Sequence, residues 1–299
     1  MAYLSSPVEQ LKDHYTVIVI GSGYGGGIAA SRLARAGQSV CILERGREIQ
    51  PGEYPDTNVE FLKESQVHMA DGQTVGSPTG LYDFRMNAEL TALVGCGLGG
   101  TSLINAGVAL RPEPRVFDDP AWPKQFRDDV PTLLDEGFRR AEDMLKPTPY
   151  PNQFPPLPKL QAHQKSATAF GADTFARLPI NVTFSDGVNQ VGVPQEACKL
   201  CGDCMSGCNH RSKNTVLMNY LPDAKNHGAE IYTQVAVRYL ERKDNLWLVH
   251  YQLMGEGRDR FDAPMAFISA ELVILAAGGL GTSEKGSIMR GEERGATGI

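Results

Sequence analysis

A chain of 299 residues, 41% of them hydrophobic, is long enough for one large domain or two ordinary ones and can bury a substantial core. Its formal net charge of −6 and lack of a clustered Lys/Arg run argue against a nucleic-acid partner, because phosphate binding needs a concentrated basic footprint. The opening stretch MAYLSSPVEQLKDHY shows neither a secretory nor a transit pattern, which reads as intracellular, cytoplasmic. The longest apolar run, AFISAELVILAA, is short and interrupted by Ser269 and Glu271, so no transmembrane segment is expected.

The first elements in chain order come from YTVIVIGSGYGGGIAASRLARAGQSVCILERG: an apolar β-branched run, a glycine-rich turn, an alanine-rich helix, a Gly break and a second strand. This is a βαβ unit. G-x-G-x-x-G falls on Gly21, Gly23 and Gly26, between strand and helix. Gly21 permits the tight turn, Gly23 lets backbone approach a pyrophosphate, and Gly26 lets the helix pack close to the strand. The helix N-terminus offers unpaired amides and a positive dipole end to phosphate. Glu44, roughly twenty residues on, is placed for a ribose hydroxyl pair and disfavours a 2′-phosphate. The motif by itself does not separate NAD from FAD.

A second glycine segment, ALVGCGLGGTSLINAGVALRP, spans Ala92 to Pro112 and again implies close backbone approach. Thr101 and Ser102 within it lack the G-x-S-x-G elbow and His partner of a nucleophile. A helical stretch follows at PTLLDEGFRRAEDML. AEIYTQVAVRYLERK, NLWLVHYQLM and PMAFISAELVILAAG read as three strands of a β-meander returning to the parallel sheet.

Taken in order, GSGYGG…LERG, GLGGTSLINAG and ILAAGGLGTSE strongly resemble the glucose-methanol-choline (GMC) family of FAD-dependent oxidoreductases, from about Tyr15 to Glu284. GLGGTSLIN and ACKLCGDCMSGCN…KNTVLMNYLPDAKNHGAEI look most like its sterol and alcohol oxidase branch, which includes cholesterol oxidases. The resemblance implies an α/β fold: an FAD-binding, Rossmann-like parallel sheet with a β-meander, plus a discontinuous substrate-side layer. Residues 15–45, 85–115 and 196–284 would form the FAD-binding domain, 46–84 and 116–195 part of the substrate domain, and 285–299 a divergent tail. Gly99, Gly100 and Asn105 would sit against the flavin and pyrophosphate, Val235 would touch the adenine, and Ala277 and Gly278 would complete the nucleotide site. The family His that tethers FAD near the second glycine segment has no counterpart here, so non-covalent FAD is expected.

In this family a His takes the hydroxyl proton of the substrate while hydride passes to the flavin, and that His lies in the carboxy-terminal part. None of the six histidines here carries that context, and KGSIMRGEERGATGI replaces the family's leucine-rich helix. The chain therefore resembles the amino-terminal FAD-binding portion, with the carboxy-terminal part missing and the catalytic residues unknown. The function implied is oxidation of a CH–OH group of a small-molecule alcohol or sterol, with oxygen or another electron acceptor. The alternatives are an FAD-binding fragment without activity and an electron-transfer or metal-binding module. An NAD-dependent dehydrogenase leaves the second and third glycine segments unexplained.

Cys198, Cys201, Cys204 and Cys208 match C-x2-C-x2-C-x3-C, a spacing that brings thiolates onto an iron-sulfur cluster. Asn209 stands where proline usually follows, and Cys41 and Cys96 are poor remote ligands. Zinc could take the same four thiolates, although separated knuckles are absent. The third reading is a structural or redox-inert loop.

Overall fold

The computed structural model describes residues 2–172, 175–254, 265–286 and 289–290. Strand β1 (His14–Ile20), helix α1 (Tyr24–Arg35) and β2 (Val40–Leu43) form the βαβ unit. Residues 65–95 supply a separate four-stranded sheet from β3 (Ser65–His68), β4 (Thr74–Gly76), β5 (Tyr82–Met86) and β6 (Thr91–Gly95). Helix α2 (Asp135–Leu145) follows a π-helical turn at Val130–Leu134, and α3 spans Tyr220–Asn226. The chain then returns to the large sheet through β7 (Glu230–Tyr232), β8 (Val235–Lys243), β9 (Leu246–Leu253) and β10 (Ala266–Leu275). Helix α4 (Gly278–Gly286) and β11 (Met289–Arg290) complete the described elements; the rest of the expected 285–299 tail lies outside the described residues.

The large sheet has the order β7-β2-β1-β10-β9-β8-β11. β7, β2, β1 and β10 run parallel, while β10, β9 and β8 form an antiparallel meander. AEIYTQVAVRYLERK thus forms two strands rather than one. Gln234 turns the chain at φ 58°, sending β7 to the outer side of β2 and β8 to the far side of the sheet.

Alternation along β1 covers both faces, as a parallel strand requires. Val17 and Val19 join a core with Val40, Ile42, Ala30, Ala34 and Leu221, whereas Ile18 and Ile20 pack with Cys41, Leu43, Val237 and Val249. α1 lies close against α3 and the turn before it because its contact face is small: a Cβ added at Gly27 would stand 3.4 Å from Tyr220 Cβ and 2.5 Å from Val216 Cγ1. The same interface carries a buried carboxylate. Asp223 accepts from Ser31 Oγ at 2.5 Å and from Arg35 Nε and Nη2 at 2.8 and 2.5 Å. Burial pushes the Asp223 carboxyl up, but these bonds and the Arg35 charge outweigh it and hold the group below its ordinary value. Among the described residues no helix is long and apolar enough to cross a membrane.

Candidate functional site

The carboxyl ends of β1 and β2, where open α/β sheets bind ligands, open onto a cleft of about 580 Å³. Gly21 leaves β1 at φ 95°; a Cβ there would lie 2.5 Å from the Ala276 carbonyl oxygen, so the turn is pressed onto the chain leaving β10. Gly26 packs on the same turn, since its Cβ would meet the Gly21 carbonyl oxygen at 2.0 Å. Gly23 is the N-cap of α1 with no side-chain cap, no acidic residue occupies the first turn, and Gly23, Tyr24 and Gly25 line the cleft. The second glycine segment lies directly on the first: a Cβ at Gly100 would sit 2.8 Å from Gly23 Cα.

Glu44 directly follows β2, with only 7% of its surface exposed, on the cleft wall. Its carboxylate accepts from Ser22 N at 3.1 Å, Ser22 Oγ at 2.6 Å and Gly46 N at 2.8 Å. Ser22 Oγ in turn accepts from Gly99 N at 3.0 Å, so one hydroxyl ties the first turn, the end of β2 and the second glycine segment. Val235 N donates to Glu44 O at 2.9 Å, which brings the start of β8 to the same wall.

Of the ten residues singled out for the cofactor, Gly21, Gly23, Glu44, Gly100, Val235, Ala277 and Gly278 line this cleft. Gly26, Gly99 and Asn105 stand behind it. Gly99 takes φ 116° and packs against Leu103; Asn105 Nδ2 donates to Tyr24 Oη at 3.0 Å, and its Oδ1 accepts from Gly107 N at 3.1 Å.

A group of charged residues lining the same cleft has no counterpart among the residues expected from sequence. Buried Asp83 accepts from Arg45 Nη2 at 2.7 Å and from Arg85 Nε at 2.8 Å, with His68 Nε2 at 3.3 Å. Arg238 on β8 donates to Gln252 Oε1 at 2.7 Å, and burial lowers its pKa. Arg45, His68, Asp83, Arg85 and Arg238 all line the cleft. Arg45 follows Glu44 directly, and YDFRM alternates charge with aromatic residues; those were the available signals.

The cysteine loop gives a different outcome from the ligand expectation. Among the described residues no three His, Cys, Asp or Glu side chains are grouped to hold a metal ion, so neither the iron-sulfur nor the zinc expectation for Cys198, Cys201, Cys204 and Cys208 is supported. All four are free, and burial pushes the Cys198 and Cys204 thiols up, favouring the neutral form over the ligating thiolate. Asn209 instead pins the loop to a distant turn, because its Oδ1 accepts from Gly52 N and Tyr54 N at 2.9 Å each.

The GMC oxidoreductase family model matches residues 16–284. A cholesterol oxidase of Mycobacterium tuberculosis is 32% identical over 288 residues, covering 91% of this chain and 47% of that protein. A cholesterol oxidase of Acinetobacter baumannii is 27% identical, covering 75% of this chain and 40% of that one. A long-chain-alcohol oxidase of Arabidopsis thaliana is 24% identical, covering 93% and 35%. A solved fungal aryl-alcohol oxidase is 16% identical with a TM-score of 0.48, covering 90% of this chain and 46% of that one. The chain spans about half the length, or less, of these relatives. GMC oxidoreductases are flavoproteins that bind FAD. On the family match over 16–284, the chain belongs to the GMC oxidoreductase family.

Proposed function

We propose that this chain holds FAD non-covalently and serves as the FAD-binding part of an oxidoreductase acting on the CH–OH group of an alcohol or sterol. The observation that carries the reading is the convergence of three glycine segments and Glu44 on one cleft of about 580 Å³, a volume within the usual range of cofactor sites. The residues present fit the cofactor. The uncapped first turn of α1 offers amide donors to a pyrophosphate, and Gly23 and Gly100, whose backbones pack directly on each other, both line the cleft with no side chain in the way. Glu44 accepts from the adenosine ribose, Val235 walls the adenine, and Ala277 and Gly278 close the far end. When bound, FAD supplies the hydride acceptor for alcohol oxidation.

In this reading residues 15–45, 85–115 and 196–284 are the cofactor-binding part, and 46–84 and 116–195 belong to the substrate side. The alcohol or sterol substrate class rests on family membership and the names of the relatives. Titration of the apoprotein with FAD, followed by quenching of flavin fluorescence, tests the cofactor assignment. Saturable quenching at one FAD per chain, weakened at least tenfold in Glu44→Gln and reversed by denaturation, is the expected result. No quenching, or equal affinity in Glu44→Gln, contradicts it.

A further inference from the structure

The second glycine segment is held in place by a lysine that belongs to none of the glycine motifs. Gly99 and Gly100 stand at φ 116° and 57°, backbone that no side chain of their own can fix. Gly100 and Thr101 line the cleft. The carbonyls that follow are taken up by Lys213, which does not line it: Nζ donates to Leu103 O at 3.0 Å, to Asn105 O at 2.6 Å and to Cys204 O at 2.8 Å. Lys213 is 2% exposed, and among the described residues the partners of its ammonium are these carbonyls, one for each N–H. Burial lowers its pKa to about 8, so near neutral pH the group is still an ammonium. A buried charge is costly without partners, and the carbonyl dipoles offset that cost here.

The backbone of the lysine is anchored independently of its side chain. Lys213 bridges Val182, Asn214 N donates to Asn181 O at 2.9 Å, and Asn181 N donates to Gly107 O at 2.7 Å. Further along, Val216 N donates to Ser102 Oγ at 3.0 Å. The Lys213 side chain therefore reaches from a fixed stretch of chain to the glycine segment. From Asn105 the connection continues into the cleft, because Asn105 Nδ2 donates to Tyr24 Oη at 3.0 Å and Tyr24, in the first turn of α1, lines the cleft.

We propose that Lys213 is a positioning residue for the cofactor: by holding the Leu103 and Asn105 carbonyls it fixes the second glycine segment and, through the Asn105 amide, the Tyr24 side chain at the cleft. The inference rests on the FAD reading of that cleft. Lysine suits the task because its donors diverge from one nitrogen toward separate carbonyls, whereas the planar fork of arginine matches a paired acceptor such as a carboxylate. Methionine fills similar space with no donor, so Lys213→Met leaves these buried carbonyls without this partner and frees the segment to shift.

The test titrates FAD into wild type, Lys213→Met, Tyr24→Phe and the double variant by quenching of flavin fluorescence, after circular dichroism has established that each folds. Lys213→Met is expected to raise the Kd about tenfold or more, the factor that one lost buried hydrogen bond is worth. Because Lys213 acts on Tyr24 through Asn105, the double variant should be weakened by less than the product of the two single effects. Lys213→Gln, which returns an amide donor, should recover part of the affinity, and it takes the place of Lys213→Met in the same cycle if that variant does not fold. Wild-type affinity in the Lys213 variants, or a double variant weakened by the full product, overturns the proposal. Failure of both Lys213 variants to fold overturns it as well, since the residue then serves the fold alone. A wild-type chain that binds no FAD overturns the FAD reading itself, and the inference falls with it.

Discussion

The Ser22 hydroxyl donates to the Glu44 carboxylate at 2.6 Å while accepting from the Gly99 amide at 3.0 Å, all within a buried corner of the cleft. Ser22 occupies a variable position of the G-x-G-x-x-G motif, yet it fastens the first glycine turn to the second. Ser22→Ala leaves a buried amide without its partner and removes one donor from a buried carboxylate. A loss of ~1–3 kcal/mol of stability is expected from such an unsatisfied group, measured by urea denaturation, with weaker FAD binding alongside.

Glycine positions in the cleft separate into those that need glycine and those that do not. Gly21→Ala places a Cβ 2.5 Å from the Ala276 carbonyl oxygen at φ 95°, and Gly26→Ala places one 2.0 Å from the Gly21 carbonyl oxygen. Backbone lies on the far side of both contacts, so neither can yield cheaply, and both variants should lose soluble, FAD-retaining protein. Gly137, inside α2, meets nothing within 4 Å. There Gly137→Ala should stabilise the chain by roughly 0.5–1 kcal/mol, because the helix interior no longer orders a glycine. Thermal melts of the three variants check the contrast.

Acid should weaken the α1–α3 contact in a definite direction. Asp223 is held below its ordinary value, and so is Glu230, where burial raises the carboxyl but bonds from Lys12, Tyr15 and Tyr232 outweigh it. A carboxyl whose folded pKa lies below its unfolded value contributes stability above the unfolded value and loses it as pH falls through the folded one. Stability should therefore be level near neutrality and fall below about pH 4. In Asp223→Asn the drop should be shallower, starting from a lower plateau, when unfolding midpoints are measured from pH 7 to pH 3.

How much of this was legible in the residues depends on how local the cause is. VIVI and VCIL are short apolar runs flanking a glycine turn, and the βαβ unit they make is legible because strand, turn, helix and strand all lie within about thirty residues of sequence. The break at Gln234 is not legible: a non-glycine residue at φ 58° is held where its own amide donates to Gly46 O and that of Val235 to Glu44 O, far away in the chain. The Arg45–Asp83–Arg85 wall escaped for the same reason, since a buried carboxylate between two guanidiniums is visible only after β2 and the small sheet meet. The cysteine spacing is the opposite case. It reads as a ligand set, but spacing does not report that Cys201 faces solvent while Cys198 and Cys204 are half-buried neutral thiols.

Charge on the cleft wall gives a prediction about cofactor affinity. Arg238 approaches from β8, held by Gln252, and Arg45 is anchored on Asp83. Removing the Arg238 charge in Arg238→Gln should weaken FAD binding several-fold at low salt and by less at high salt, because an exposed part of the attraction to phosphate is screened. Titrations at two ionic strengths measure the difference.

A chain that holds FAD in the cleft between its glycine segments is coloured. The visible absorption spectrum of the purified chain, recorded anaerobically before and after dithionite, tests FAD binding most directly. Two flavin bands that bleach on reduction are predicted, with the yellow colour released by denaturation and absent from Gly21→Ala. A colourless chain that stays colourless after incubation with FAD would contradict FAD binding.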